Sequence, residues 1–161
     1  MDGAWDVYLA APLFNHAERA FNLRIANALE AFGLRVFLPQ RDGHEFAADE
    51  GDATDRARRI YELDMATLEG CPAVVAVLDG PVPDDGVCVE LGAARENARI
   101  TGRAKLIVGL KTDERAWQSD GELNPMVGGC LDALVRGEDE VVDVVTSSLE
   151  RLRAAHRSQA Q

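Results

Sequence analysis

The stretch AVVAVLD, residues 73–79, decides the fold class of this chain. Its first six residues are all apolar, and an aspartate ends the run. A strand with one face in solvent alternates apolar and polar side chains, whereas a continuous apolar run is typical of a strand that helices cover on both faces. Strands of that kind belong to parallel sheets of α/β proteins. Residues 73–79 therefore predict one strand of such a sheet.

Similar apolar runs recur on both sides of this strand, and amphipathic segments separate them. The further strand candidates are DVYLAA (6–11), LRVFLP (34–39), KLIVGL (105–110) and EVVDVV (140–145). Helical periodicity covers about 16–32, 54–70, 86–101, 124–136 and 146–157. Five strands that alternate with five helices predict a doubly wound α/β fold. We expect a flavodoxin-like five-stranded parallel sheet of order 2-1-3-4-5, in one domain over residues 1–161 whose last few residues are disordered.

This strand order predicts where a ligand binds. In open α/β sheets, ligands bind beyond the carboxyl ends of the strands where the order reverses, which here is between the first and third strands. The loops that follow these strands are APLFN (11–15) and DGPVPDDG (79–86). The polar connection over residues 40–53 is a candidate lid above the same place.

The second loop leads into DDGVCVELGAA, residues 84–94, in which Glu90 stands among apolar and small residues. A helix that begins near Gly86, with Asp84 or Asp85 as its N-cap, places Glu90 on the packed face. That face is predicted to hold Gly86, Val87, Ala93, Ala94 and Asn97, with Arg95 and Arg99 on the opposite side. A carboxylate in such a position needs a partner or a chemical role. A structural ion pair, or simple placement in an early helical turn, is an alternative of comparable weight.

Composition excludes several classes of function. The net charge of −11, with only two lysines, disfavours binding to nucleic-acid phosphates. No apolar run reaches the length of a membrane span, and the N-terminus has no secretory signal pattern, so we expect a cytoplasmic protein. The cysteines are predicted to be reduced core thiols; they are Cys71, Cys88 and Cys130.

Motifs narrow the chemistry further. The three histidines, His16, His44 and His156, lie in separate segments, so we expect neither a metal site nor a cofactor. The sequence has no glycine-rich phosphate loop and no GxSxG nucleophile elbow. Paired carboxylates without a metal cluster suit glycosidic chemistry, in which one attacks the anomeric carbon and another manages the leaving group's proton.

Several segments, in their order and spacing, resemble the nucleoside 2-deoxyribosyltransferases. They are YLAAPLFN, VFLPQRD, ELDMATLEGCPAVVAVLD, DDGVCVELGAA and NPMVGG, and together they cover roughly residues 6–132. The resemblance implies an enzyme that exchanges the base of a 2-deoxynucleoside through a covalent deoxyribosyl-glutamate intermediate. Its partners would be deoxynucleosides and free nucleobases.

The resemblance also implies roles for individual residues. The family pattern D-x-G-x-x-x-E-x-G matches Asp84, Gly86, Glu90 and Gly92, which makes Glu90 the nucleophile and Asp84 a base-contacting carboxylate. Asp64 matches another active-site aspartate. Tyr8 matches a tyrosine that orients the nucleophile, although an aromatic side chain in the first strand is also an ordinary core residue.

Substrate contacts are implied as well. Asn124 and Met126 match a segment that reaches the neighbouring subunit's site, where the asparagine binds the sugar 5′-hydroxyl; this implies a homo-oligomer, at least a dimer. Gln40 lies near a base-binding polar position. The remaining predicted pocket residues around the base are Leu13, Phe14, Gly86 and Val87.

Two other functions remain open on the sequence. A related group with the same fold hydrolyses nucleoside 5′-monophosphates, and Arg19 or Arg56 would then contact the phosphate. A nucleotide-sensing module without catalysis is the third class, although a sensor does not need a glutamate on the packed face of a helix.

Overall fold

The computed structural model describes residues 4–45, 52–115 and 123–159. Its parallel strands form one sheet in the order β2-β1-β3-β4-β5, which confirms the predicted fold class. The strands are β1 (Val7–Ala10), β2 (Val36–Phe37), β3 (Ala73–Val77), β4 (Leu106–Leu110) and β5 (Ala133–Val135). The helices are α1 (His16–Ala31), α2 (Pro39–Asp42), α3 (Ala53–Gly70), α4 (Asp85–Thr101), α5 (Pro125–Gly128) and α6 (Glu138–Gln159).

Helices cover both faces of the sheet, and alternate strand residues face the two layers. Val7 and Leu9 of β1 pack in the cluster formed with α1 and α6, whereas Tyr8 and Ala10 pack in the cluster formed with α3 and α4. All five residues of β3 are buried, as its continuous apolar run predicts. None of the helices in the described part of the chain combines the length and the apolar character that a membrane span requires.

The C-terminal third differs from the prediction. EVVDVV (140–145) lies within α6 and is not a strand; the fifth strand is the three-residue β5, inside the segment 124–136 that was expected to be helical. The buried residues of α6 explain the error, because Val141, Val142, Val145 and Leu149 recur at helical spacing. A short apolar run does not by itself distinguish a buried strand from one face of a helix.

The connection over residues 40–53 is more ordered at its start than expected. Residues 39–42 form the short helix α2, and α3 begins at Ala53. Residues 46–51, on which the predicted lid depends, lie outside the described residues, as do residues 160–161 of the tail that was expected to be disordered.

Both lysines of the chain are buried and bind backbone carbonyl groups. Lys105 Nζ donates to the carbonyl oxygens of Leu68, Glu69 and Cys71, which lie at the C-terminal end of α3. An ammonium group there satisfies carbonyls that lack a helical partner and lies at the negative end of the helix dipole. Burial lowers the pKa of Lys105.

Candidate active site

The loop between β3 and α4 is fixed at the carboxyl end of the sheet. Lys111 Nζ donates to the carbonyl oxygens of Leu78 (2.8 Å) and Gly80 (3.2 Å). The Asp79 carboxylate accepts from the backbone N–H groups of Thr112 and Asp113 and from the Thr112 hydroxyl. Gly80 has a φ of 96°, which a residue with a side chain rarely adopts. The loop therefore leads into α4 along a defined path.

Asp84 is the N-cap of α4. Its Oδ1 accepts from the backbone N–H of Val87 at 3.2 Å, so the carboxylate satisfies one of the unpaired N–H groups of the first turn. This is the capping role that aspartates before helices usually have. The Asp84 side chain is only half-buried, and its negative charge acts on Glu90.

Glu90 lies one helical turn further, at the edge of the packed face. The centre of that face is formed by Val87, Leu91 and Ala94, which are buried, and Ala93 packs beside them. Two details differ from the prediction. Gly86 is exposed because the first turn projects beyond the core, and Arg95 does not point simply to solvent: it is half-buried and donates to the carbonyl oxygen of Cys130.

The Tyr8 hydroxyl donates to Glu90 Oε1 at 2.5 Å. Tyr8 is fully buried in β1, and its ring stacks on Phe37 of β2 with the centroids 5.5 Å apart. The residue is thus both a core aromatic and the partner of the glutamate. Burial, followed by the negative charges of Glu90 and Asp64, raises the pKa of Tyr8 far above its usual range, so the phenol stays protonated and donates.

A second pair of carboxyl groups lies near Glu90. Asp64 of α3 and Glu45, which follows α2, are within hydrogen-bonding reach of each other. Asp64 Oδ1 and Glu45 Oε2 are buried, and neither atom has a hydrogen-bond partner among the described residues. Two ionised carboxylates are both hydrogen-bond acceptors, so neither can donate to the other. One proton shared between them converts the contact into a hydrogen bond. Glu45 also fits because Gly43 has no side chain: a Cβ there would lie 2.2 Å from Glu45 Oε2.

These surroundings raise the pKa values of Glu90 and Asp64. Burial raises the pKa of Glu90 to about 7; the charges of Asp84 and Glu45 add to the rise, and the Tyr8 hydrogen bond opposes it. Burial, with the neighbouring Glu45 and the charge of Glu90, raises the pKa of Asp64 to about 8. At neutral pH, Asp64 therefore holds a proton while Glu90 is partly ionised. One group can act as an acid and the other as a nucleophile.

The loop after β1, the strand that carries Tyr8, is fixed by the N-terminal cap of α1. Asn15 caps α1, and its capping-box partner Glu18 accepts from the backbone N–H groups of Phe14 and Asn15. The Phe14 side chain is 75% exposed, and Leu13 is half-buried. An exposed aromatic side chain on a fixed loop provides a surface on which a flat ligand can pack.

Gln40 is held against α1. Its Oε1 accepts from Asn22 Nδ2 at 3.0 Å, and its Nε2 donates to the Arg19 carbonyl at 2.9 Å. The buried Asn22 side chain also donates to the carbonyl oxygen of Pro12, so it joins the loop after β1 to α2. Within the described residues, no hydrogen bond joins Gln40 to Glu90 or Asp64.

Asn124 and Met126 lie at the surface. Asn124 Oδ1 accepts from the Met126 backbone N–H at 2.9 Å and thereby caps α5. The Met126 side chain is 79% exposed. In the described portion of this chain, neither side chain forms a hydrogen bond with the carboxyl groups above. The four carboxyl groups and Tyr8 are therefore assembled within one subunit, and the two residues of α5 face outward from it.

The sequence indicated Glu90, Asp64, Asp84 and Tyr8, but not Glu45. The signal for Glu45 was weak, because it is one of several acidic residues in a polar connection. Only the fold of α2 and Gly43 brings its carboxyl group to Asp64. Across the three described ranges, no group of three or more potential metal ligands is arranged to hold a metal ion.

Comparisons with known proteins identify the family and agree with the fold. A family model described as nucleoside 2-deoxyribosyltransferase matches residues 7–139, whereas no curated protein sequence matches the chain. Among solved structures, a conserved protein from Enterococcus faecalis V583 is 22% identical, with a TM-score of 0.70 over 89% of this chain and 98% of that one.

Two further structures have names that state an activity. The 2-deoxyribosyltransferase from Bacillus psychrosaccharolyticus is 21% identical, with a TM-score of 0.67 over 85% of this chain and 90% of its own. The 2-desoxiribosyltransferase from Leishmania mexicana is 20% identical, with a TM-score of 0.60 over 88% of this chain and 97% of its own. At such identities the structural likeness establishes the fold, and the family model, which spans most of the chain, establishes the family. The chain belongs to the nucleoside 2-deoxyribosyltransferase family.

Proposed function

We propose that this protein transfers a 2-deoxyribosyl group from one nucleobase to another through a covalent intermediate on Glu90. The observation that supports the proposal best is the 2.5 Å hydrogen bond from Tyr8 to Glu90 Oε1 at the carboxyl end of the sheet. A hydrogen bond to one carboxylate oxygen fixes the group and leaves its other oxygen for attack. The carboxyl group of Asp64 lies close enough to act on Glu90 electrostatically.

In the first half of the proposed reaction, the free oxygen of ionised Glu90 attacks the anomeric carbon. The bond from that carbon to the base nitrogen breaks, and the nitrogen takes the electron pair. A proton from Asp64 neutralises the departing base, which costs less than releasing an anion. The products are a deoxyribosyl ester of Glu90, a neutral base and an ionised Asp64.

The second half reverses these steps with another base. Its ring nitrogen attacks the anomeric carbon, Glu90 leaves as a carboxylate, and Asp64 takes the proton that the nitrogen loses. Two inversions at the same carbon give overall retention of configuration. Glu45 assists because its negative charge favours the return of a proton to Asp64.

Transfer competes with hydrolysis at the same intermediate. We propose that Leu13 and Phe14, with Met126 of a neighbouring subunit, hold the incoming base against the reacting carbon, and that Asp84 and Gly86 border it. Val87, which was also expected in this pocket, is instead buried in the core under α4. Gln40 would form the outer side of the base pocket. Correct positioning of a reactant can contribute a rate advantage of about 10⁵ M or more in effective concentration, which favours the bound base over water.

The test is an incubation of the protein with deoxyinosine, with and without adenine, followed by chromatography and intact-mass analysis. We expect deoxyadenosine to form when adenine is present, and a mass increase of one deoxyribosyl group when the donor is alone. Glu90→Gln should lose both signals, with kcat/KM lower by about 10⁴-fold or more. Glu62→Gln, a change of the same kind at an exposed position of α3, is the matched control.

Two results would overturn the proposal. A Glu90→Gln protein that is folded and retains near-native transfer would remove the nucleophile. Release of free deoxyribose at a rate that added adenine does not change, without a covalent adduct, would identify a hydrolase instead.

A further inference from the structure

A cavity of about 740 Å³ lies away from the carboxyl groups. It adjoins the amino end of β4, whereas Glu90 and Asp64 lie toward the carboxyl end of the sheet. The short fifth strand is the cause: β5 pairs with Val108–Leu110 only, so Leu106 and Ile107, which pair with β3 on one side, have no strand on the other. The backbone N–H of Ile107 donates instead to Asp132 Oδ2. The cavity is the space left between α4 and α6 beyond the end of β5.

The cavity has an apolar base and a basic rim. Leu106, Leu152 and Ala98 contribute apolar surface, and the rim includes Arg99, Arg103 and Arg151. A volume of about 740 Å³ falls within the range of ordinary small-molecule sites, which is roughly 300–1,000 Å³. This combination suits a ligand that has a flat apolar part and an anionic end.

The arginines that line the cavity differ in whether a carboxylate binds them. Arg95 is bound by Asp132 at 2.7 Å, and Arg99 is bound by Glu96 at 2.5 Å. By contrast, in the portion of the chain that the structure describes, the guanidinium groups of Arg103 and Arg151 have no carboxylate partner. The Arg151 guanidinium donates to the Ser148 hydroxyl at 3.1 Å.

Such a cluster is unexpected in this molecule. The chain carries 28 acidic residues against 17 basic ones, yet Asp132 is the single acidic residue among those that line the cavity, and Arg95 binds it. Because carboxylates neutralise Arg95 and Arg99, the local positive potential comes from the charges of Arg103 and Arg151. Guanidinium groups also bind phosphate through paired N–H donors.

We propose that this cavity binds a small organic phosphate monoester that carries a flat aromatic or heterocyclic group. The phosphate is bound by Arg103 and Arg151, with the Ser148 hydroxyl as a further donor. The flat group packs on Leu106 and Leu152. This site is separate from the deoxyribosyl chemistry and does not depend on the proposed function.

Titration calorimetry at low salt tests the proposal, with 2-naphthyl phosphate as the probe because it has both required parts and no sugar. Inorganic phosphate and 2-naphthol are the single-part comparisons. We expect saturable binding of 2-naphthyl phosphate with a Kd below about 1 mM, and binding at least about tenfold weaker for each comparison compound.

Variants locate the binding. The double change Arg103→Gln with Arg151→Gln should weaken binding of 2-naphthyl phosphate at least about tenfold, because it removes both unpaired guanidinium groups. Arg58→Gln, an exposed arginine of α3 outside the cavity, is the control and should bind like the unchanged protein. Leu106→Ala should weaken 2-naphthyl phosphate but leave the weak affinity for inorganic phosphate unchanged.

Three outcomes would overturn the proposal. They are the absence of saturable binding to the unchanged protein, equal affinity for inorganic phosphate and 2-naphthyl phosphate, and undiminished binding by the double variant when circular dichroism shows it to be folded.

Discussion

At the scale of single residues, Tyr8 has two roles that one side chain fulfils together. Its ring belongs to the core and stacks on Phe37, while its hydroxyl reaches Glu90. Sequence reasoning offered these roles as alternatives. They are compatible because a strand residue near the carboxyl end of the sheet can pack its ring inside and still present the phenol oxygen at the edge.

The first prediction concerns the pH dependence of transfer. Glu90 must lose its proton to attack, so kcat/KM should rise with pH through about 7, and Asp64 must keep its proton to act as an acid, so the rate should fall above about 8. Tyr8→Phe keeps the ring but removes the bond that stabilises ionised Glu90. The acidic limb of the profile should therefore move to higher pH. An unchanged limb in a folded Tyr8→Phe protein would contradict the role of this hydrogen bond.

The second prediction concerns the loss of folding stability when the buried Asp64 ionises at higher pH. Its pKa is raised in the folded protein to about 8, whereas an unfolded chain ionises near the usual 3.8. The contribution of protonated Asp64 to the free energy of unfolding is therefore fully present below about pH 4, and it is lost as pH rises toward 8. Asp64→Asn removes that loss, so its melting temperature should exceed that of the unchanged protein at pH 8 by several degrees more than at pH 5. Transfer should decline in the same variant, and equal differences at both pH values would contradict the shift.

At the scale of secondary-structure elements, the strands and the long helices before residue 111 could be predicted because their periodicities are distinct, whereas the short helix α2 was missed. The segment EVVDVV could not, since four valines in six residues suit either a strand or a helix face. The deciding information is tertiary: the sheet ends at β5, and Val141 and Val145 are buried in the core cluster that α6 forms with α1 and one face of the sheet. Glu45 escaped prediction for a related reason, because its position depends on the turn at Gly43.

The third prediction compares the two buried lysines, which bind different elements. Lys105→Met leaves carbonyls at the end of α3 without a donor, and Lys111→Met does the same for Leu78 and Gly80. Each change should lower the free energy of unfolding by about 1–3 kcal/mol. Only Lys111→Met alters the loop that leads to Glu90, so only this variant should also lose about tenfold or more in kcat/KM. Equal activity losses would show that the loop position does not depend on Lys111.

At the scale of the whole molecule, one subunit presents the proposed catalytic groups but turns Asn124 and Met126 outward. The exposed Met126 side chain is available for contact with another subunit, and methionine is enriched in protein interfaces. We propose a homo-oligomer, at least a dimer, in which these residues complete the site of a neighbouring subunit. The sequence pattern indicates these residues, but only the fold shows that both side chains are exposed on the subunit that carries them.

The fourth prediction tests this arrangement by mixing inactive subunits. Glu90→Gln and Asn124→Ala proteins should each be nearly inactive, and subunit exchange should restore activity. In a randomly mixed dimer, half of the molecules are mixed and one of their two sites is intact, so about a quarter of the original activity should return. A mixture that stays inactive, although mass spectrometry shows mixed oligomers, would place Asn124 in its own subunit's site or outside any site.

The burial of both lysines has a practical consequence for handling the protein. Lys105 and Lys111 are 8% and 5% exposed and donate to carbonyl groups, so the folded chain offers no accessible lysine amine to acylating reagents. Coupling to a solid support through lysine would therefore capture mainly molecules that are locally unfolded around one of these lysines. The same property makes lysine acylation, followed by peptide mass spectrometry, a reporter of local opening at two separate points. Its rate at Lys111 measures how often the loop beside Glu90 is released, and its rate at Lys105 measures release at the opposite end of the sheet.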